Sequence, residues 1–193
     1  MAWPHEAHRC ILRLAGPCRC VRLTSNVRRH RSSAMDYFQG VVTDYLRAKR
    51  SQFVNTEYMI NLDPDGTYLK GRHWYCDAVA IDFSEFTVHL CEITYSKSLH
   101  AVGVRLQAWA KNWPGVVAAI RRDSSLDDKW LVAPRVFLAQ SLKSIMDLKL
   151  NGIKHPQGVT PPMPQPIVTA LEDVVPWKYR SWNGKAFTSD GDA

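Results

Sequence analysis

The stretch HWYCDAVAIDFSEFTVHLCEIT, residues 73–94, decides the fold. It holds two runs, His73 to Phe83 and Phe86 to Thr94, separated by Ser84-Glu85. Both runs are rich in β-branched, aromatic and small apolar residues, so they read as a β-hairpin. A loop at Ser84-Glu85 pairs Phe83 with Phe86, Ile81 with Val88, Val79 with Leu90 and then Asp77 with Glu92. Side chains alternate along a strand, so Tyr75, Asp77, Val79 and Ile81 should share a face with Val88, Leu90, Glu92 and Thr94. Trp74, Cys76, Ala78 and Ala80, with His89, Cys91 and Ile93, should form the other. Both faces are largely apolar, as expected for a sheet covered on two sides.

Two acids opposed in such a sheet are costly, because like charges repel and burial disfavours each ion. A shared proton, a nearby base or a divalent cation would offset that cost. Hard cations take carboxylate oxygens, and Mg²⁺ uses one or two of them with water and phosphate, so metal is the economical answer. A register slipped by one residue would instead send one acid to solvent.

Around the hairpin, residues 36–50 read as a helix with Asp36 as N-cap, and 57–62 as a strand. Asp63-Pro64-Asp65-Gly66 is a turn, with a short strand at 67–70. Leu99, Val102, Leu106, Trp109 and Trp113 define one face of a helix over 98–113. Pro114 stops or restarts it, with a further short helix over Val116 to Ile120. A strand lies late in Trp130 to Leu138, because Pro134 cannot donate to a ladder. Ser141 to Leu150 reads as a helix, 155–166 with five prolines as an extended connector, and Ile167 to Val175 as a final short element. The order predicts an α/β (α+β) fold, a mixed central sheet flanked by helices.

The chain has 193 residues and a formal net charge of +7. Residues 1–34 hold seven Arg, no Lys and one acid, so +6; the remaining 18 bases and 17 acids leave +1. A basic surface on the domain must therefore be argued locally. The first 34 residues read as a separate Arg-rich leader, disordered or upstream of the native start at Met35, with 35–193 as one globular domain. No unbroken apolar run is long enough for an export signal or for the ~20 residues of a membrane span. Five cysteines without export point to a reducing, cytoplasmic setting, with Cys76 and Cys91 as core residues. His73 and His89 read as packed strand histidines, and Asp127-Asp128 as a solvated loop.

Asp77, a turn, and Glu92-Ile93-Thr94 on the next strand, between two helices, resemble the PD-(D/E)XK nuclease superfamily over roughly residues 36–140. The resemblance implies a restriction-endonuclease-like core and a Mg²⁺ site, with Mn²⁺ as a substitute. In its terms Asp77 and Glu92 are metal ligands, the Ile93 carbonyl a third, and Glu57 an added acid, with Asp44 as runner-up. The family lysine two positions past the Glu is replaced by Thr94, and Lys97 is the candidate to act in its stead. Arg105 or Gln107 would line the site from the following helix, and Lys70 and Arg72 lie where they could meet phosphate. The implied function is Mg²⁺-dependent hydrolysis of DNA phosphodiesters, with DNA as partner and no membrane. The alternative is an inactive relative that binds nucleic acid or protein, including a second copy, within a mobile-element or phage machine.

Overall fold

The computed structural model describes residues 33–63, 65, 73–158 and 160–179. The leader up to residue 32, the expected strand at 67–70, and Lys70 and Arg72 lie outside the described residues.

Helix α1 (Ser33–Arg47) is followed by β1 (Gln52–Asn61), β2 (His73–Asp82) and β3 (Thr87–Thr94). Next come α2 (His100–Lys111), α3 (Trp113–Ser124), β4 (Leu131–Leu138), α4 (Lys143–Asn151) and β5 (Ile167–Ala170). The strands form one five-stranded mixed sheet in the order β1-β2-β3-β4-β5, antiparallel up to β3 and parallel from β3 to β5. This is an α/β fold with helices on the sheet.

The hairpin register runs as the alternation requires: Val79 faces Leu90, Ile81 faces Val88 and Asp82 faces Thr87. The loop is two residues longer than expected, spanning residues 83–86, with Phe86 at φ 49°. Asp82 holds the loop together. Its buried carboxylate accepts the Ser84 N–H at 3.0 Å, the Ser84 hydroxyl at 2.6 Å and the Gln52 amide at 2.7 Å. Trp130 packs edge-on against Phe83 and Phe86.

Every residue of β3 is buried, which makes it the central strand. One side of the sheet packs Val79, Val88 and Leu90 against Val102, Leu106 and Trp109 of α2 and Trp113, Val116 and Ile120 of α3. The other packs the small residues Ala78 and Ala80, with Cys91, Ile93 and Phe137, against Val42 and Leu46 of α1.

Several boundaries differ from the sequence reading. Helix α1 starts at Ser33, so Asp36 lies within it rather than capping it. Strand β1 starts at Gln52, five residues early, because its first half alternates polar and apolar only weakly. Helix α3 fills Trp113–Ser124, with Pro114 in its first turn, where a missing N–H costs nothing. Strand β4 includes Pro134, whereas β5 pairs only with Arg135 to Leu138. Pro134 therefore sits where β4 is an edge, and an edge tolerates proline.

The face assignment fails at one point. Trp74 and Cys76 pack with Val79 on the α2–α3 side, although simple alternation puts them with Ala78. The cause is a local break in the ladder. Glu57 adopts φ 54° and drops out of the β1–β2 pairing opposite Asp77, while pairing resumes on both sides. The β2–β3 ladder also ends there, at Ala78–Cys91. The alternation thus shifts phase at Asp77: even-numbered Trp74 and Cys76 face the α2–α3 core, whereas Ala78 and Ala80 face the α1 core.

Candidate active site

Asp77 stands where β2 parts from β3, so its backbone and carboxylate are free to act across the gap. The side chain accepts the Ile93 N–H at Oδ2, 2.6 Å away. Its carbonyl accepts the Gln39 amide of α1 at 3.0 Å. Both ends of the residue are therefore tied to neighbouring elements, and the aim of the carboxylate is fixed.

Glu92 lies on the all-buried strand β3, only 1% exposed. Arg105 of α2 donates Nη1 to Glu92 Oε2 in a short charge-assisted bond. Glu92 Oε1 is buried and has no hydrogen-bond partner. Native proteins rarely leave such an acceptor unsatisfied, since the lost solvation costs about 1–3 kcal/mol. Burial, reinforced by the charge of Asp77, pushes the Glu92 carboxyl up to about 8 against the pull of Arg105. Burial also raises Asp77, opposed by the Ile93 N–H and Arg105 and reinforced by Glu57. Burial is thus the main cause of both shifts, with Asp77 adding to that of Glu92 and Glu57 to that of Asp77.

The donor set fits a hard divalent cation in part. Glu92 Oε1 and Asp77 Oδ1 carry no hydrogen bond among the described residues, and Mg²⁺ commonly takes one or two carboxylates with waters. No group of three His, Cys, Asp or Glu side chains able to hold a metal occurs among the described residues. Glu57, expected as an added ligand, lies at the gap in the β1–β2 pairing beside Asp77 but is exposed and does not complete a three-carboxylate group. Asp44 is exposed on α1. The backbone contribution of Ile93 that the structure shows is its N–H, given to Asp77.

Thr94 is buried at the end of β3 and accepts the Ser96 N–H at Oγ1, 3.2 Å away, so it shapes the turn. Lys97 follows in that turn, exposed and without an ion pair among the described residues. The cation that reaches Glu92 is Arg105 instead. Its expected role was phosphate contact, and the bond to Glu92 commits part of its guanidinium elsewhere. Gln107 is used structurally: its amide donates to the Lys154 carbonyl at 2.8 Å and accepts the Lys154 N–H at 3.0 Å. His89 is buried and its imidazole is pushed down, first by burial and then by Arg135.

Gln39 was missed by the sequence reading. Its only signal is an amide on the flank of the apolar stripe formed by Phe38, Val42 and Leu46, and its partner is known only once α1 is laid on β2. No helix among the described residues is long and apolar enough to cross a membrane. No protein-family model matches the chain, and no curated protein matches it.

Proposed function

We propose that this chain is a divalent-metal-dependent nuclease of the PD-(D/E)XK type, acting on DNA phosphodiesters. One observation carries the reading. Asp77, where β2 and β3 separate, lies near enough to Glu92 for its charge to raise the Glu92 carboxyl; each acid keeps one oxygen without a hydrogen bond among the described residues, and that of Glu92 is buried. Burying a carboxylate so, with a second acid beside it, makes chemical sense where a cation is to be held.

A bound Mg²⁺ or Mn²⁺ would acidify water and neutralise charge on the phosphate. Asp77 and Glu92 would hold that ion. The Ile93 N–H and the Gln39 amide keep Asp77 aimed, and Arg105 fixes Glu92 by its second oxygen. Arg105 is partly exposed, so its remaining N–H groups can meet a phosphate oxygen. Lys97, on the adjoining turn, is the base best placed by sequence to orient the attacking water.

A second reading draws on Arg105 and Thr94. An arginine already neutralising Glu92, and a threonine bound into a turn at the lysine position, favour a relative that keeps the cradle but does not cut. Incubation of the purified chain with single- and double-stranded DNA and RNA in Mn²⁺ separates the two. Cleavage lost in Glu92→Gln supports the nuclease; no cleavage with intact Mn²⁺ binding supports the inactive relative.

A further inference from the structure

On the opposite side of the sheet from Glu92, a cavity of about 190 Å³ is lined by Tyr45, Ala48, Lys49, Gln52, Arg135 and Tyr179. Arg135 of β4 lies beside Cys91 in register but faces α1, over the rings of Tyr45 and Phe137 at 5.6 and 4.9 Å. Its guanidinium has no acid partner among the described residues. It makes only long bonds, Nε to Thr169 Oγ1 at 3.3 Å and Nη2 to Tyr45 Oη at 3.4 Å. Nη1 stays unused. Because Tyr45 Oη accepts from Arg135, its own hydrogen is free to be given to a ligand.

Lys49 enters from the end of α1, with carboxylate partners Asp82 and Glu85 at 3.7 and 3.6 Å. Hydrogen bonds from Gln52 and Ser84 keep Asp82 ionised, so Lys49 is partly neutralised by its two acids and Arg135 carries the cavity's uncompensated charge. Gln52 gives its amide to Asp82 and leaves Oε1 buried with no partner, an acceptor waiting for a donor. The charge of Arg135 reaches nearby His89: after burial it is the largest influence depressing the imidazole, with Asp82 and Glu85 acting the other way.

We infer that this cavity binds a phosphoryl group, with Arg135 as its principal charge contact, Lys49 and Tyr45 as further donors, and Gln52 Oε1 accepting the ligand's own O–H. Donors arrive from α1 and from β4, which suits a tetrahedral oxyanion better than a planar carboxylate. The volume lies below the ~300 Å³ at which drug-sized pockets begin, so a small phosphate or a terminal phosphate fits and a whole dinucleotide does not.

Titration calorimetry of the full chain with inorganic phosphate, at constant ionic strength, tests this. Saturable binding is expected, weakened about tenfold or more by Arg135→Gln and less by Lys49→Gln or Tyr45→Phe. Lys49 is exposed, so Lys49→Gln remains informative if Arg135→Gln fails to fold. A 5′-phosphorylated oligonucleotide compared with its unphosphorylated twin identifies the source. Tighter binding of the phosphorylated strand, dependent on Arg135 and Lys49, assigns a terminal phosphate, and inorganic phosphate alone assigns a free one. No binding of either, or binding unchanged in Arg135→Gln and Lys49→Gln, overturns the site.

Discussion

The carboxylate of Asp77 reaches across the opened β2–β3 ladder and takes the backbone N–H of Ile93 at 2.6 Å. In a regular antiparallel pair that N–H or its neighbour would serve the partner strand. Here an acid side chain replaces a backbone carbonyl, so one residue both ends the ladder and aims a candidate ligand beside Glu92. Asp77→Asn keeps an acceptor oxygen and should retain the fold. Asp77→Ala orphans the Ile93 N–H and should cost about 1–3 kcal/mol in denaturant unfolding.

Arg105→Gln should destabilise the protein in a pH-dependent way. Glu92 titrates near 8 when folded against about 4.5 unfolded, so the folded state holds the extra proton between these values. Its contribution to stability is therefore complete at low pH and declines as pH rises through that window. Without Arg105 the penalty for ionising Glu92 grows. The gap between wild type and Arg105→Gln should be small at pH 5 and about 1–3 kcal/mol at pH 8, a figure reduced because Arg105 is 34% exposed.

Asp82 titrates in the opposite sense. Hydrogen bonds from Gln52 and Ser84 outweigh its burial and hold its carboxyl well below the usual range. Its contribution is present above the unfolded value near 3.8 and is lost as pH falls through the folded one. Asp82→Asn should lower stability at pH 7 by about 2 kcal/mol and shrink toward no effect under acid conditions, read from melting curves across pH.

Much of this architecture is legible in the sequence because period-two alternation over residues 73–94 fixes register without reference to the rest of the chain. The site is less so. Alternation cannot show that Glu57 enters a left-handed conformation, nor that the alternation shifts phase at Asp77 opposite that gap in the pairing. Helical spacing places Arg105 on the flank of α2 but cannot show that it crosses to Glu92 rather than to a ligand. Pro134 misleads because a proline's penalty depends on which neighbour strand is present, and β5 begins one residue too late to need it.

The backbone at Glu57 offers a direct test of that gap in the ladder. A left-handed conformation disfavours residues with a Cβ, and β-branched ones most of all. Glu57→Gly should leave stability unchanged or raise it by up to about 1 kcal/mol, and Glu57→Val should lower it by about 1–2 kcal/mol. Equal stabilities would mean that the ladder pairs normally opposite Asp77.

Calorimetric titration of the full chain with Mn²⁺ at pH 6 and pH 8, in wild type and Glu92→Gln, bears on the metal cradle itself. Because Glu92 must lose its proton to bind an ion, affinity should rise with pH toward about 8. Glu92→Gln should abolish binding while leaving the metal-free protein as stable as wild type, or more so at pH 8. Affinity that does not change with pH, or that survives in Glu92→Gln, would contradict a cation held between Asp77 and Glu92.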